Sequence, residues 1–150
     1  MSVTLRPMQW PDIPEVAAIE ADLFPVDPWT PEMFWSELAA VPESREVMVA
    51  IDGEDIVGYA SLRFVATESD VNTIAVKSDR QGQGIGRQLM TWIEDTARSH
   101  GSLEMFLEVR SDNAVAIAMY HADGYERIDM RPNYYVSGVD ALVMRKKLSA

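Results

Sequence analysis

Along the chain the spacing of apolar positions changes period several times, and each change marks an element. Val3 to Met8 alternate as a short first strand. Asp12 is placed to open a helix: its carboxylate can cap free backbone N–H groups, Glu15 falls at the third helical position as in a capping box, and Ile13, Val16 and Ala17 supply an apolar side. The proline-bearing run from Phe24 to Trp29 reads as a loop. Thr30 then caps a second helix, with Pro31 in its first turn and Met33, Phe34, Trp35 and Leu38 as a broad apolar face. Arg45 to Ile51 and Ile56 to Val65 form an antiparallel hairpin about the turn Asp52-Gly53-Glu54-Asp55. Thr67 to Asp70 is expected to turn again before a strand over Val71 to Val76.

Leu89, Ile93 and Ala97 recur every fourth residue, which predicts a helix from about Gly86 to Ser99, closed by Gly101. In the strand from Ser102 to Arg110, Leu103, Met105, Leu107 and Val109 share one face, and Glu104, Phe106 and Glu108 share the other. Asn113 to His121 is a short helix ended by Gly124, and Tyr125 to Met130 and Ala141 to Leu148 are the last strands. The order is β-α-α-β-β-β-α-β-α-β-β. That is an α/β (α+β) chain: a mixed central sheet of about seven strands with about four helices on its faces.

Composition narrows the chemistry. With 150 residues, 47% of them hydrophobic, the chain is expected to be one domain, 1–150, around a single core. No apolar run approaches the roughly 20 residues of a membrane helix. The opening residues lack the basic region and apolar stretch of a secretory leader, so a cytoplasmic location is expected. The absence of cysteine excludes disulfides, thiolate metal sites and a cysteinyl intermediate. His100 and His121, the two imidazoles, fall near helix ends and are expected to be solvated or satisfied there, so no metal is expected. A net charge of -11 disfavours direct nucleic-acid binding and suits a cationic partner such as a basic peptide or polyamine, or serves solubility alone.

One segment carries a ligand signal. Gln81-Gly82-Gln83-Gly84-Ile85-Gly86-Arg87 joins a strand to a helix. Its alternate glycines let the backbone approach a ligand and point several N–H groups one way, beside the positive end of the following helix, so it can bind a pyrophosphate without a lysine. The dinucleotide fingerprint begun at Gly82 fails at Arg87, and no G-K-[ST] triplet exists for a P-loop. A glycine-rich turn that merely caps a helix is the other reading.

The same residues resemble a known family. Gln81-x-x-Gly84-x-Gly86 is similar to the acyl-CoA motif of the GNAT superfamily, and Thr73-Ile74-Ala75-Val76 before it looks like that family's central strand. The likeness runs on through Leu107-Glu108-Val109-Arg110 and Asn113-x-x-Ala116-x-x-x-Tyr120-x-x-x-Gly124-Tyr125. Arg131-Pro132-Asn133-Tyr134-Tyr135 and Pro28-Trp29-Thr30 are similar to segments of the RimI-type N-terminal acetyltransferases, which modify the terminal alanine of a small-subunit ribosomal protein. The long loop from Phe24 to Trp29 and a short turn after Tyr135 depart from that pattern.

The resemblance implies acetyl transfer from acetyl-CoA to an amine, with no metal. It makes Glu108 the general base and Tyr120 the general acid, although the one could be a surface glutamate and the other a tyrosine packing a helix onto the sheet. A phenol's usual pKa near 10 lies close enough to a thiol's, about 8.5, for it to protonate the leaving thiolate. Backbone N–H groups at the open end of Ile74, Ala75 and Val76 are expected to meet the oxyanion and the pantetheine arm. Gln81, Gly82, Gln83, Gly84, Ile85, Gly86 and Arg87 are expected at the pyrophosphate. Asn113 could contact the cofactor, cap its helix, or do both. Trp29, Glu104, Tyr134 and Tyr135 are the candidate substrate contacts, with core or hairpin packing as the alternative for the aromatics. The expected partner is a basic protein N-terminus, from a ribosomal protein, bound by a monomer or weak dimer, with no direct nucleic acid and no membrane. Acetylation of a small amine and a non-catalytic acyl-CoA-binding regulator are the alternatives.

Overall fold

The computed structural model describes residues 2–135 and 138–148, so Met1, Val136, Ser137, Ser149 and Ala150, and with them most of the short turn expected after Tyr135, lie outside the described residues. The elements are β1 (Thr4–Pro7), α1 (Ile13–Leu23), α2 (Pro31–Ala39), β2 (Arg45–Asp52), β3 (Asp55–Val65), β4 (Glu68–Val76), α3 (Ile85–Ser99), β5 (Glu104–Arg110), α4 (Ala114–Ala122), β6 (Glu126–Arg131) and β7 (Ala141–Lys147). Short 3₁₀ turns cover Trp10–Asp12 and Ser78–Arg80. The strands form a seven-stranded sheet in the order β1-β2-β3-β4-β5-β7-β6. Every pairing is antiparallel except β4 with β5, the crossover made by α3.

That parallel pair is short. It is held only at Glu68↔Glu104, Ser69↔Met105 and Asp70↔Phe106, and beyond Asp70 the two strands part. The sheet therefore carries a split flanked by Val71 to Val76 on one side and Leu107 to Arg110 on the other. On β4 the split begins at a bulge, because Leu62 pairs with Val71 and Ser61 with Thr73, leaving Asn72 without a partner on β3.

A separate core lies on each face. Leu89, Ile93 and Ala97 of α3 and Tyr120 of α4 pack with Met105, Leu107 and Val109 of β5. Val16 and Ile19 of α1 and Phe34 of α2 pack with Val47, Val49 and Tyr59 on the opposite face. Period-two alternation in β5 feeds the first core with every second residue and leaves Glu104, Phe106 and Glu108 on the α1–α2 face.

Local departures from expectation have local causes. Asp12 does not cap α1. The chain is already wound as a 3₁₀ turn there, so its carboxylate accepts from the Gln9 N–H at 2.8 Å and from the Arg6 guanidinium at 2.7 and 2.8 Å. Glu15 makes no capping box either; it reaches the sheet and accepts from the Ile56 N–H at 2.9 Å. The reversal expected over Thr67 to Asp70 is tighter, because Ala66 takes a left-handed conformation (φ 54°) and β4 has begun by Glu68. Leu103 lies just before β5 and is 59% exposed, so it does not join Met105 in the core. Thr30 does cap α2, accepting from the Met33 N–H at 3.3 Å.

Candidate active site

The loop between β4 and α3 is set by two left-handed glycines, Gly82 (φ 79°) and Gly84 (φ 84°), the latter at the N-cap of α3. A Cβ added at either would meet no atom within 4 Å, so the loop presents bare backbone to open space. Its base is fixed from below. The Gln81 side-chain amide donates to the Val76 carbonyl at 3.1 Å, the Gln83 side-chain oxygen accepts from Arg80 Nε at 3.0 Å, and Arg80 is also ion-paired with Asp52 at 2.9 Å. Ile85 anchors the first turn of α3 in the core, Gly86 lies against Val76, and Arg87 is exposed beside α4. Free N–H groups at a helix start behind bare glycine backbone are what a pyrophosphate fits.

The split opens into a groove of about 830 Å³ lined by Val71, Asn72, Thr73 and Ile74 from β4, by Leu107 to Arg110 from β5, and by Asn113 and Tyr120. A second groove of about 870 Å³ lies on the α1–α2 face; it shares Trp29, Asn72, Glu108, Tyr134 and Tyr135 with the first. Glu108 comes from the α1–α2 face of β5 and Tyr120 from α4 on the opposite face, yet both line the first groove. Ala75 and Val76, by contrast, continue β4 away from it as packing residues.

Around Glu108 the polar groups interlock. Its carboxylate lies 3.5 Å from the Arg131 guanidinium. Burial first, then a hydrogen bond to Glu108 and that carboxylate's charge, hold the Tyr134 hydroxyl above its ordinary pKa. The same order of causes, burial and then the Glu108 charge, pushes Tyr135 up to about 12. Arg131 lies over the Tyr134 ring at 5.6 Å and Arg110 over Tyr135 at 5.1 Å. Tyr120 is 8% exposed, stands edge-on to Tyr125 at 5.8 Å, and is raised by burial, so its phenol keeps its proton at neutral pH.

The remaining expected residues fall as follows. Trp29 lines both grooves and tilts onto Phe34 at 5.3 Å. Asn113 accepts from the Ala116 N–H at 3.1 Å, capping α4 while it lines the groove. Glu104 is not brought to either groove; it sits at the paired end of β5, 3.5 Å from Arg145. His100 stacks on Phe64 and lies 3.1 Å from Glu46, and His121 is in the last turn of α4. Among the described residues no group of three or more His, Cys, Asp or Glu could hold a metal, and no helix is long and apolar enough to cross a membrane. Among the groove residues that the sequence reading did not single out as site residues are Glu20, Glu37 and Asn72. The available signal for the two acids was their spacing, since Glu20 follows Val16 by four and Glu37 follows Phe34 by three, on the inward faces of their helices.

Residues 13–125 match the acetyltransferase (GNAT) family. The chain belongs to that family. Its members use acetyl-CoA, and this chain is an acetyl-CoA-dependent N-acetyltransferase. It is 41% identical over 150 residues to the N-alpha-acetyltransferase RimI of Mycobacterium tuberculosis, covering 96% of this chain and 92% of that one. It is 30% identical to the [ribosomal protein bS18]-alanine N-acetyltransferase of Salmonella typhimurium, over 97% of this chain and 98% of the relative. The crystal structure of the ribosomal-protein-S18-alanine N-acetyltransferase from Escherichia coli superposes with a TM-score of 0.88 at 30% identity, covering 99% of this chain and 96% of that one. The seven-stranded sheet with helices on both faces is thus the GNAT fold.

Proposed function

We propose that this chain acetylates the N-terminal α-amino group of a protein, a small-subunit ribosomal protein beginning with alanine, with Glu108 as base and Tyr120 as acid. One observation carries the reading: these two side chains, from opposite faces of the sheet, line a single groove through the split between β4 and β5. The relatives named for N-terminal alanine acetylation of a ribosomal protein, similar over nearly the whole chain, support the substrate class.

The chemistry follows from the two groups. An amine is protonated at neutral pH and cannot attack a thioester. Glu108, directly or through a water, takes one proton from the ammonium. The freed amine attacks the thioester carbonyl carbon, forming the C–N bond, and backbone N–H groups on the open edge of β4 near Ile74 steady the oxyanion. As the C–S bond breaks, Tyr120 gives its proton to the leaving sulfur. The amide nitrogen's second proton restores the phenol, and Glu108 releases the first to solvent. In this reading Gln81 to Arg87 hold the pyrophosphate, Asn113 contributes at the groove's α4 end, and Trp29, Tyr134 and Tyr135 wall the incoming peptide.

The test compares one basic peptide starting with alanine, its terminus free or blocked, with spermidine, each with acetyl-CoA and read by mass spectrometry. Acetylation of the free terminus is expected, and blocking it should abolish the reaction even with lysines present. Faster turnover of spermidine, or of lysine in the blocked peptide, would replace this reading with acetylation of another amine.

A further inference from the structure

The α1–α2 face contains a carboxylate that the chemistry above does not use. Glu37 of α2 is 7% exposed, and each of its oxygens is engaged. Oε1 accepts from the Ser61 hydroxyl of β3 in a short hydrogen bond and from the Asn72 side-chain amide of β4 at 3.0 Å; Oε2 accepts from Arg45 Nε at 3.0 Å. One side chain thus ties α2 to three strands. The tie to β4 falls at an informative place. Asn72 is the bulge residue, two positions beyond the last β4–β5 pair, where the split begins. Asn72 and Glu37 both line the groove on the α1–α2 face, beside Met33 and Ser36 of the helical wall.

We propose that Glu37 is a positioning residue for acetyl transfer: through Asn72 it fixes the course of β4 as that strand leaves β5. This sets the helical wall that guides the amine relative to the Thr73–Ile74 edge, where the acyl group must lie. The inference rests on the function proposed above. Its physical basis is that Asn72 itself has no ladder partner on β3 or on β5, so between the paired Val71 and Thr73 its side-chain bond to Glu37 is what holds its direction. A carboxylate accepting two bonds at one oxygen supplies that direction more sharply than apolar packing does. The Arg45 bond does a different job, compensating the buried charge.

The two bonds make separable predictions. Asn72→Ala removes the tie to the bulge and leaves Glu37 with Ser61 and Arg45. Glu37→Gln keeps an oxygen for Asn72 and Ser61 but opposes an amide N–H to Arg45. The rate should therefore follow the Asn72 bond, and thermal stability the Arg45 bond. For Asn72→Ala, kcat on the free-terminus peptide should fall about tenfold or more, as small misplacements of reacting groups do, with acetyl-CoA affinity by calorimetry within about twofold of wild type. Glu37→Gln should melt lower than Asn72→Ala yet lose less kcat than Asn72→Ala, whereas a role in stability alone would rank the two rates in the same order as the two melting temperatures. Asn72→Ala retaining wild-type kcat and KM, or Glu37→Gln losing rate while Asn72→Ala does not, would overturn the proposal. Wild-type turnover of the peptide checks the substrate reading separately. If another amine is turned over instead, the same variants are read on that amine, with the same expected and overturning outcomes.

Discussion

On the α3 face, Leu89, Ile93 and Ala97 meet the sheet in a continuous apolar strip, and the buried acid of α3, Glu94, sits beside Lys146 at 2.9 Å with Tyr125 donating to it. On the α1–α2 face the acids bond into the middle of the sheet instead. Glu20 accepts from the Tyr59 hydroxyl at 2.7 Å and the Trp29 N–H at 3.1 Å, while Glu37 takes Ser61 and Asn72. Tyr59 and Ser61 are alternate residues of β3 and so point into the same face. On the function proposed above, the difference follows from what each face would hold. A cofactor bound by loop backbone needs only a firm helix behind it, and apolar packing provides that. A groove for a peptide must keep a helix pair off the sheet at a set height, and apolar contact alone has no directional preference. Hydrogen bonds to buried carboxylates do.

The largest expected effect tests whether the two faces meet chemically. Glu108→Gln should lower kcat by about 10²–10⁴-fold while calorimetry shows unchanged acetyl-CoA affinity. Tyr120→Phe, on the other face, should also lower kcat with little effect on binding. If both variants turn over the true substrate at near wild-type rates, the shared groove is not a site of acid–base catalysis by this pair. Next comes the apolar strip. Leu89→Ala deletes a fully buried side chain and should cost about 2–5 kcal/mol in urea unfolding. A loss below about 1 kcal/mol would mean that the α3 face does not depend on this strip. Smaller again is the loop. Gly84→Val places a Cβ in open space at φ 84°, and acetyl-CoA affinity should fall at least about tenfold, or about 1.4 kcal/mol. Unchanged binding by a folded Gly84→Val protein would remove the loop from the cofactor site.

The contrast between the faces was only half legible in the sequence. Helix α3 could be read because Leu89, Ile93 and Ala97 repeat at one spacing and need nothing from elsewhere in the chain. Alternation in β5 put Glu108 opposite Leu107, and the glycine spacing marked the loop. The other face depends on distant partners. Asp12 and Glu15 fit a local capping pattern, but the partner of Glu15 is Ile56, 41 residues away. The same limit hid Glu37, whose bonds to Ser61 and Asn72 exist only once the sheet has formed. Alternation also cannot say how far along a strand a site lies, so Glu104, on the same face as Glu108, was expected as a substrate contact though it sits at the paired end of β5. The bulge at Asn72 and the left-handed turn at Ala66 have no signature in residue type, so the start of the split and of β4 had to be seen in the structure.

The smallest effect separates the buried acids by their response to pH. Burial raises the Glu20 pKa above its ordinary value; the bonds from Tyr59 and Trp29 oppose the shift, and the Asp27 charge adds to it. The folded protein therefore holds a proton at pH values where the unfolded chain has released it, and Glu20 withdraws stability as pH rises through that window. Glutamine does not titrate and can keep one of the two bonds. Glu20→Gln should thus match wild type in the acid range and melt progressively higher than wild type as pH rises above the ordinary glutamate value, by less than about 1 kcal/mol. Asp12 supplies the opposite sign in the same molecule. Its pKa is lowered, first by the hydrogen bond from Arg6, so it contributes stability above the ordinary aspartate value and loses it as pH falls. Asp12→Asn should be destabilised at neutral pH, and its deficit should close on acidification. Melting curves for both variants between about pH 2 and pH 8 read the two trends together, Asp12→Asn below the ordinary aspartate value and Glu20→Gln above the ordinary glutamate value. A pH-independent difference for Glu20→Gln would mean that this carboxyl ionises as freely in the fold as in the unfolded chain. The α1–α2 face would then hold its acids at no electrostatic cost, and the physical distinction between the two faces would reduce to bond direction alone.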